Sequence, residues 1–203
     1  MQLYWSSRSP FARKVLVAAH ELGLADGIRL VPVTVTPFVP EPSLAAANPL
    51  LKIPTLVPDT GPPIHDSGVI CEYLDGLQGE HRLFPAAGPQ RIRALTLQAT
   101  GNGLMEVLVF WLTLRSRFEG AHIDALARAS RLKLRQTLDM LEGVVAELDT
   151  PQPHIGTIAV GAALGYADFR FDTEQWRAGR PALAAWYTRF AERPSMRATR
   201  PRD

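Results

Sequence analysis

The prolines of this chain crowd into one stretch. From Pro32 to Pro63 the sequence also carries Pro37, Pro40, Pro42, Pro49, Pro54, Pro58 and Pro62. Each lacks a backbone donor and clashes with the preceding helical turn, so no long helix can run through this segment. Beyond Arg91 the pattern reverses. Leu134, Leu138, Leu141, Val145 and Leu148 recur at helical spacing and predict one amphipathic helix of about four turns. Ile158 to Phe171 is apolar almost all round and is expected to be the buried central helix of a bundle. Between the two regimes, Leu77 to Pro89 mixes Gly, Pro and charge as a linker does. The expected division is therefore 1–78, a linker at 79–88, and an all-helical domain at 89–203.

Charge divides at the same place. Residues 1–80 hold 5 basic and 8 acidic side chains, net −3, and residues 81–203 hold 17 and 12, net +5. The total of +2 gives no strong pull toward nucleic acid. The single cysteine, Cys71, excludes an internal disulfide or a CxxC pair and is expected to be a buried structural thiol. The five histidines are scattered without ligand spacing, so no metal is expected. The longest apolar run, Leu104 to Leu114, is too short to span a bilayer and contains Glu106. The first fifteen residues show no leader pattern, and a cytoplasmic protein without membrane contact is the expectation. Arg193, Arg197, Arg200 and Arg202 read as a solvated tail.

The first half alternates strands and helices. Gln2 to Trp5 reads as a strand, and Ser9-Pro10 opens a helix with a favoured N-cap and a favoured first residue. Val15, Leu16, Ala19 and Leu22 form its apolar face, and Gly23 stands where a helix-ending glycine belongs. Ile28 to Val35 reads as a strand whose Pro32 points to an edge or a bulge. Thr55 to Val57 and Pro63 to His65 are short strands around a turn. Asp66-Ser67 starts a helix with Val69, Ile70, Tyr73, Leu74 and Leu77 at helical spacing. The order is β-α-β, a Pro-rich connection, then β-β-α.

Three places could carry chemistry, each with a plain structural alternative. Ser9 at a helix N-terminus sits by unpaired N–H groups and the positive end of the dipole, which favours an anion such as a thiolate. It is also an ordinary cap. Pro54 starts a strand, and a cis Ile53-Pro54 bond would expose the backbone of Ile53 for pairing with a peptide-like ligand. It is also a plain edge proline. Asp66 and Ser67 at a second helix start could meet an ammonium and a carboxylate, or simply cap.

The ordered set is specific where each member is not. Ser-Pro-Phe-x-Arg-Lys-Val (from Ser9), Asn-Pro-Leu-x-Lys-Ile-Pro-Thr-Leu (from Asn48) and Asp-Ser-x-x-Ile-x-x-Tyr-Leu (from Asp66) resemble the N-terminal domain of glutathione S-transferases. The stretch from Thr157 to Arg170 resembles the buried helix of bacterial, serine-type members, so the likeness covers nearly the whole chain. It implies an α/β thioredoxin-like domain followed by an all-α helical bundle domain, usually as a homodimer.

By position, Ser9 matches the family's catalytic serine, and Lys52 a basic residue that meets the glycyl carboxylate of glutathione. Ile53 matches the backbone that pairs with the cysteinyl part, Pro54 the cis-proline, and Asp66 and Ser67 the pair holding the γ-glutamyl end. Ser6 and Ser7 stand as rivals to Ser9. The family often has Gly where this chain has Leu51. Its central helix usually opens with a capping box, where this chain has His154 and Thr157, and Thr157 is expected to cap alone.

The resemblance implies a detoxification transferase with glutathione as cosubstrate and no resident cofactor. Serine at position 9 cannot form a mixed disulfide, so attack of the glutathione thiolate on a small apolar electrophile is expected. The electrophile is expected between the halves, with Met105, Val109, Phe110 and Trp111 as candidates for its wall, or else for core or dimer contact. A non-catalytic binding or assembly protein of the same fold is the alternative, as is another glutathione-dependent isomerase, dehalogenase or peroxidase activity.

Overall fold

The computed structural model describes residues 1–36, 38, 41–79 and 81–203. Pro37 and Pro40 of the proline-rich stretch lie outside the described residues, as does position 80 of the expected linker.

The chain runs β1 (Gln2–Trp5), α1 (Pro10–Glu21), β2 (Arg29–Pro32), a one-turn α2 (Pro42–Ala45), β3 (Thr55–Val57), β4 (Ile64–His65) and α3 (Ser67–Gln78). Six helices follow: α4 (Gly88–Arg115), α5 (Ala121–Gly143), α6 (Val145–Leu148), α7 (Ile155–Arg170), α8 (Pro181–Ala191) and α9 (Pro194–Ala198). The four strands form one mixed sheet in the order β2-β1-β3-β4, with β1 parallel to β2 and the other pairs antiparallel. Pro32 ends β2, an edge strand, where its missing donor breaks no central ladder. The strand stops there, short of the expected Val35.

In α3, Ile70, Cys71 and Leu74 are buried, whereas Val69 and Leu77 face out. The expected continuous stripe over 134–148 breaks at Val144, where φ −119° and ψ 17° leave the helical region; α5 ends and α6 begins. Leu134, Leu138, Leu141 and Leu148 are still buried, so the spacing identified the buried face and missed the kink.

Helix α7 is buried from Ile155 to Ala167 and packs along α4 and against α1. Its cap corrects the sequence expectation. His154 rather than Thr157 is the N-cap, its Nδ1 accepting from the backbone N–H groups of Gly156 at 3.1 Å and Thr157 at 3.4 Å. The Nε2 faces the Glu147 carbonyl at 3.4 Å. Burial holds the imidazole below its usual pKa, which keeps Nδ1 an acceptor. The Thr157 hydroxyl instead donates back to the His154 carbonyl at 2.6 Å.

Two side chains of α1 lock it to the helical half. Arg13 is buried and donates from Nη2 to the Met196 carbonyl at 3.2 Å. Its guanidinium fits because residue 165 is glycine: a β-carbon there would strike Arg13 Nη1 and approach the Tyr187 hydroxyl. At the far end of α1, Glu21 takes both a forked Arg193 and the Ser195 hydroxyl. Burial pushes the Glu21 carboxyl up, and those hydrogen bonds outweigh it, leaving the group below its ordinary pKa. Arg193 is therefore a half-buried tie between the two halves, not part of a solvated tail.

Candidate functional site

Sheet register brings the three sequence motifs to one end of the sheet. Tyr4 near the end of β1 pairs with Thr55 at the start of β3, which pairs with His65 at the end of β4. Ser6 to Ser9, Ile53-Pro54 and Asp66-Ser67 therefore all lie at the same end of the sheet.

Ser9 caps α1 with extended backbone (φ −84°, ψ 119°), and its Oγ accepts from Ala12 N at 3.2 Å. Among the described residues its hydroxyl hydrogen has no acceptor, and the Phe11 N–H has no partner either. Pro10 has no N–H to satisfy. One hydroxyl donor and one backbone donor thus remain at the positive end of a twelve-residue helix. The rivals differ. Ser7 already donates to the Arg202 carbonyl at 2.9 Å. Ser6, whose Oγ accepts from Arg8 N at 3.4 Å, keeps its hydrogen unengaged among the described residues, as Ser9 does, but caps no helix.

The Ile53-Pro54 peptide bond is cis, and Pro54 is buried. The backbone N–H and C=O of Ile53 have no protein partner among the described residues. The loop before it is held from below. Asn48, buried, donates from Nδ2 to the Lys52 carbonyl and to Thr55 Oγ1, both at 3.0 Å, and accepts from Leu50 N at 3.0 Å. Thr55 adds its own bond to the Lys52 carbonyl at 2.8 Å. Leu51 sits at φ 53°, the conformation that explains why a glycine is favoured there. The Lys52 side chain is exposed and makes no ion pair among the described residues.

Asp66 is the N-cap of α3 at φ 69°, a left-handed value that non-glycine residues adopt mostly at constrained sites. Its Oδ1 accepts from Gly68 N at 2.7 Å, which leaves the other oxygen exposed and unpaired. Ser67 is buried, and its hydroxyl has no protein partner among the described residues. A β-carbon on Gly68 would lie 2.7 Å from Gln98 Nε2 and 3.0 Å from Asp66 Oδ1, so α4 of the helical half reaches this corner.

Beneath it lies Lys14, fully buried, its ammonium donating to Asn102 Oδ1 of α4 at 2.9 Å. Burial pushes the lysine pKa down, with Cys71 and Asp66 opposing. Burial also pushes the Cys71 thiol up to about 11, so it is no nucleophile. Sequence reasoning missed the supports Asn48, Thr55, Lys14, Gln98 and Asn102. Asn48, Thr55 and Lys14 lay inside quoted motifs, but their bonds cross a loop or reach α4, and no spacing reveals either.

Of the proposed electrophile wall, Met105 and Trp111 belong to the core, Val109 is half-buried and Phe110 is exposed. Two surface cavities, of about 340 Å³ and 470 Å³, are lined only by residues of the helical half. Among the described residues no group of three His, Cys, Asp or Glu side chains is placed to hold a metal ion. None of the described helices is long and apolar enough to cross a membrane.

A small four-stranded mixed sheet with helices followed by a helical bundle is the two-part architecture of the glutathione S-transferases. Residues 8–77 match the family model of the glutathione S-transferase N-terminal domain, and residues 121–189 that of its C-terminal domain. The chain belongs to the glutathione S-transferase family. A glutathione transferase family member from Pseudomonas fluorescens Pf-5, solved with bound glutathione, is 39% identical. It superposes with a TM-score of 0.93 over 100% of this chain and 99% of that one. A glutathione S-transferase from Methylobacillus flagellatus, also with glutathione bound, is 30% identical with a TM-score of 0.86 over 99% of each chain. The uncharacterized GST-like protein YibF of Escherichia coli K12 is 29% identical over 99% of this chain and 98% of its own length.

Proposed function

We propose that this glutathione transferase uses the Ser9 hydroxyl to hold the glutathione thiolate for attack on a small apolar electrophile. The observation that carries this reading is the unengaged Ser9 hydrogen, standing beside the free Phe11 N–H at the start of α1. A thiol of pKa about 8.5 is only a few per cent ionised at neutral pH. Lowering it by about two units takes roughly 2.7 kcal/mol, within reach of a charge-assisted hydrogen bond and a helix terminus together. The sulfur then bonds to the electrophilic carbon, and the leaving group departs with its electron pair.

In this reading the free Ile53 backbone pairs with the cysteinyl amide, Lys52 meets the glycyl carboxylate, and Pro54 shapes the loop. Ser67 binds the γ-glutamyl carboxylate and the free oxygen of Asp66 its ammonium. The glutathione site then belongs to a domain at 1–78, joined by 79–88 to the helical domain at 89–203.

A homodimer and a detoxifying role in the cytoplasm complete the proposal. The exposed apolar side chains Val69 and Leu77 on α3 and Ile92 on α4 support the dimer. Sedimentation at several concentrations tests it, a monomer at all of them counting against it. Retention on immobilised glutathione, with conjugation assayed across electrophiles, hydroperoxides and isomerisable substrates, tests the activity. Binding without turnover on any of them would favour the non-catalytic alternative.

A further inference from the structure

Two guanidinium groups, Arg170 and Arg8, act on one carboxylate, Asp203, in the segment that follows α9. Arg170, the last residue of α7, forks its Nη1 and Nη2 onto the two oxygens of Asp203. The preceding residue, Arg202, accepts the Ser7 hydroxyl through its carbonyl at 2.9 Å. This bond pins the segment to the loop that carries Ser9. Arg170 is fixed from behind: its guanidinium stands 3.8 Å over the Phe169 ring, its Nε is buried without a partner, and its carbonyl accepts from Arg115.

Arg115 is itself held over the Phe171 ring at 4.3 Å. Arg8 adds positive potential at Asp203, whose carboxyl is held below its ordinary pKa first by the Arg170 hydrogen bond. The nearby Asp168 offers no neutralisation, since Arg177 and the Trp176 Nε1 already occupy it.

We propose that Arg170 is the seat of a carboxylate on the second substrate, and that Asp203 occupies it in the free protein. This deepens the reading of the Ser9 end of the sheet as the glutathione site and rests on it. The two partners are unequal. The Arg170 side chain is 21% exposed and held in place, while the Asp203 side chain is 71% exposed. Ion pairs with so exposed a partner contribute little net stability, so a better-placed carboxylate displaces it readily. The planar fork fits a carboxylate in two parallel bonds, which is the chemistry Asp203 demonstrates. From the Ser9 hydroxyl to Arg170 the path runs through Ser7, Arg202 and Asp203, on the order of 17 Å at most. An aryl acid attached through the glutathione sulfur falls within that span.

The test is calorimetry with S-(4-carboxybenzyl)glutathione and its neutral amide, S-(4-carbamoylbenzyl)glutathione. The wild-type protein should bind the acid about ten-fold more tightly, the scale of one charge-assisted fork. Arg170→Met should erase the preference, Arg170→Lys keep part of it, and Asp203→Asn widen it by removing the tethered competitor. Plain glutathione should bind all four proteins alike. Equal binding of acid and amide by the wild type, or a preference that survives Arg170→Met, overturns the proposal while glutathione binding stands. Failure of glutathione and both conjugates to bind overturns the glutathione reading and this proposal with it. If Arg170→Met does not fold, as its melting curve will show, the wild-type and Asp203→Asn comparisons decide.

Discussion

Asn48 and Thr55 are bonded side chain to side chain, Nδ2 to Oγ1 at 3.0 Å, in a buried pocket under the Lys52-Ile53-Pro54 loop. Between them they place two donors on the Lys52 carbonyl, so the residue before Ile53 cannot tilt without breaking both. The free backbone of Ile53 is held ready by neighbours that themselves touch no ligand in this reading.

Replacing Asn48 with Ala should therefore cost about 1–3 kcal/mol, because Thr55 and the Leu50 N–H lose buried partners. It should also raise the KM for glutathione several-fold with a smaller effect on kcat. Urea unfolding and glutathione saturation curves check the two effects separately. An unchanged KM would show that the loop keeps its shape without the asparagine.

At the second helix start, charge and capping can be separated. Asp66→Asn keeps a good N-cap and a residue tolerant of positive φ, so stability should hold within about 0.5 kcal/mol. Glutathione affinity should fall by about 1.5–3 kcal/mol, the value of a hydrogen bond to a charged group. Ser67→Ala should weaken it by about 1 kcal/mol. Titration calorimetry of the two variants distinguishes ammonium recognition from mere helix capping, which would leave affinity unchanged.

These sites were legible in the sequence to unequal depth. The helix starts at Ser9 and Asp66 follow from capping chemistry, which is local, and the structure places them where the residue types demand. The kink at Val144 was hidden because a buried stripe keeps its spacing across a one-residue irregularity. The His154 cap is not legible locally because the ring accepts at Nδ1 only in the tautomer protonated at Nε2, and the Glu147 carbonyl that meets Nε2 comes from the preceding helix. Arg193 looked solvated because its partner, Glu21, is 172 residues away.

The His154 cap makes stability depend on pH. Burial depresses its pKa in the folded state, so the unfolded chain binds the extra proton first. The stabilisation is present above the unfolded value of about 6.5 and is lost as pH falls through the folded one. Melting temperatures from pH 8 to pH 5 should drop more for the wild type than for His154→Asn, whose cap does not titrate. Parallel curves would exclude the histidine as the source.

Arg13 and Gly165 should behave as one unit. Gly165→Ala forces a methyl into the guanidinium and should cost about 1–3 kcal/mol as overpacking. In an Arg13→Met background the same change should cost clearly less, since the flexible side chain can yield. A double-mutant cycle by chemical denaturation measures the coupling, and strict additivity would contradict the packing described.

The central claim is that the Ser9 hydroxyl stabilises the glutathione thiolate. Its most direct measurement is the thiolate absorbance of bound glutathione, titrated against pH in the wild type and in Ser9→Ala. The account predicts that the wild-type complex ionises about two units below the free thiol value of about 8.5. Ser9→Ala should still bind glutathione but ionise it more than a unit higher than the wild type does. An identical ionisation curve in both proteins would contradict it.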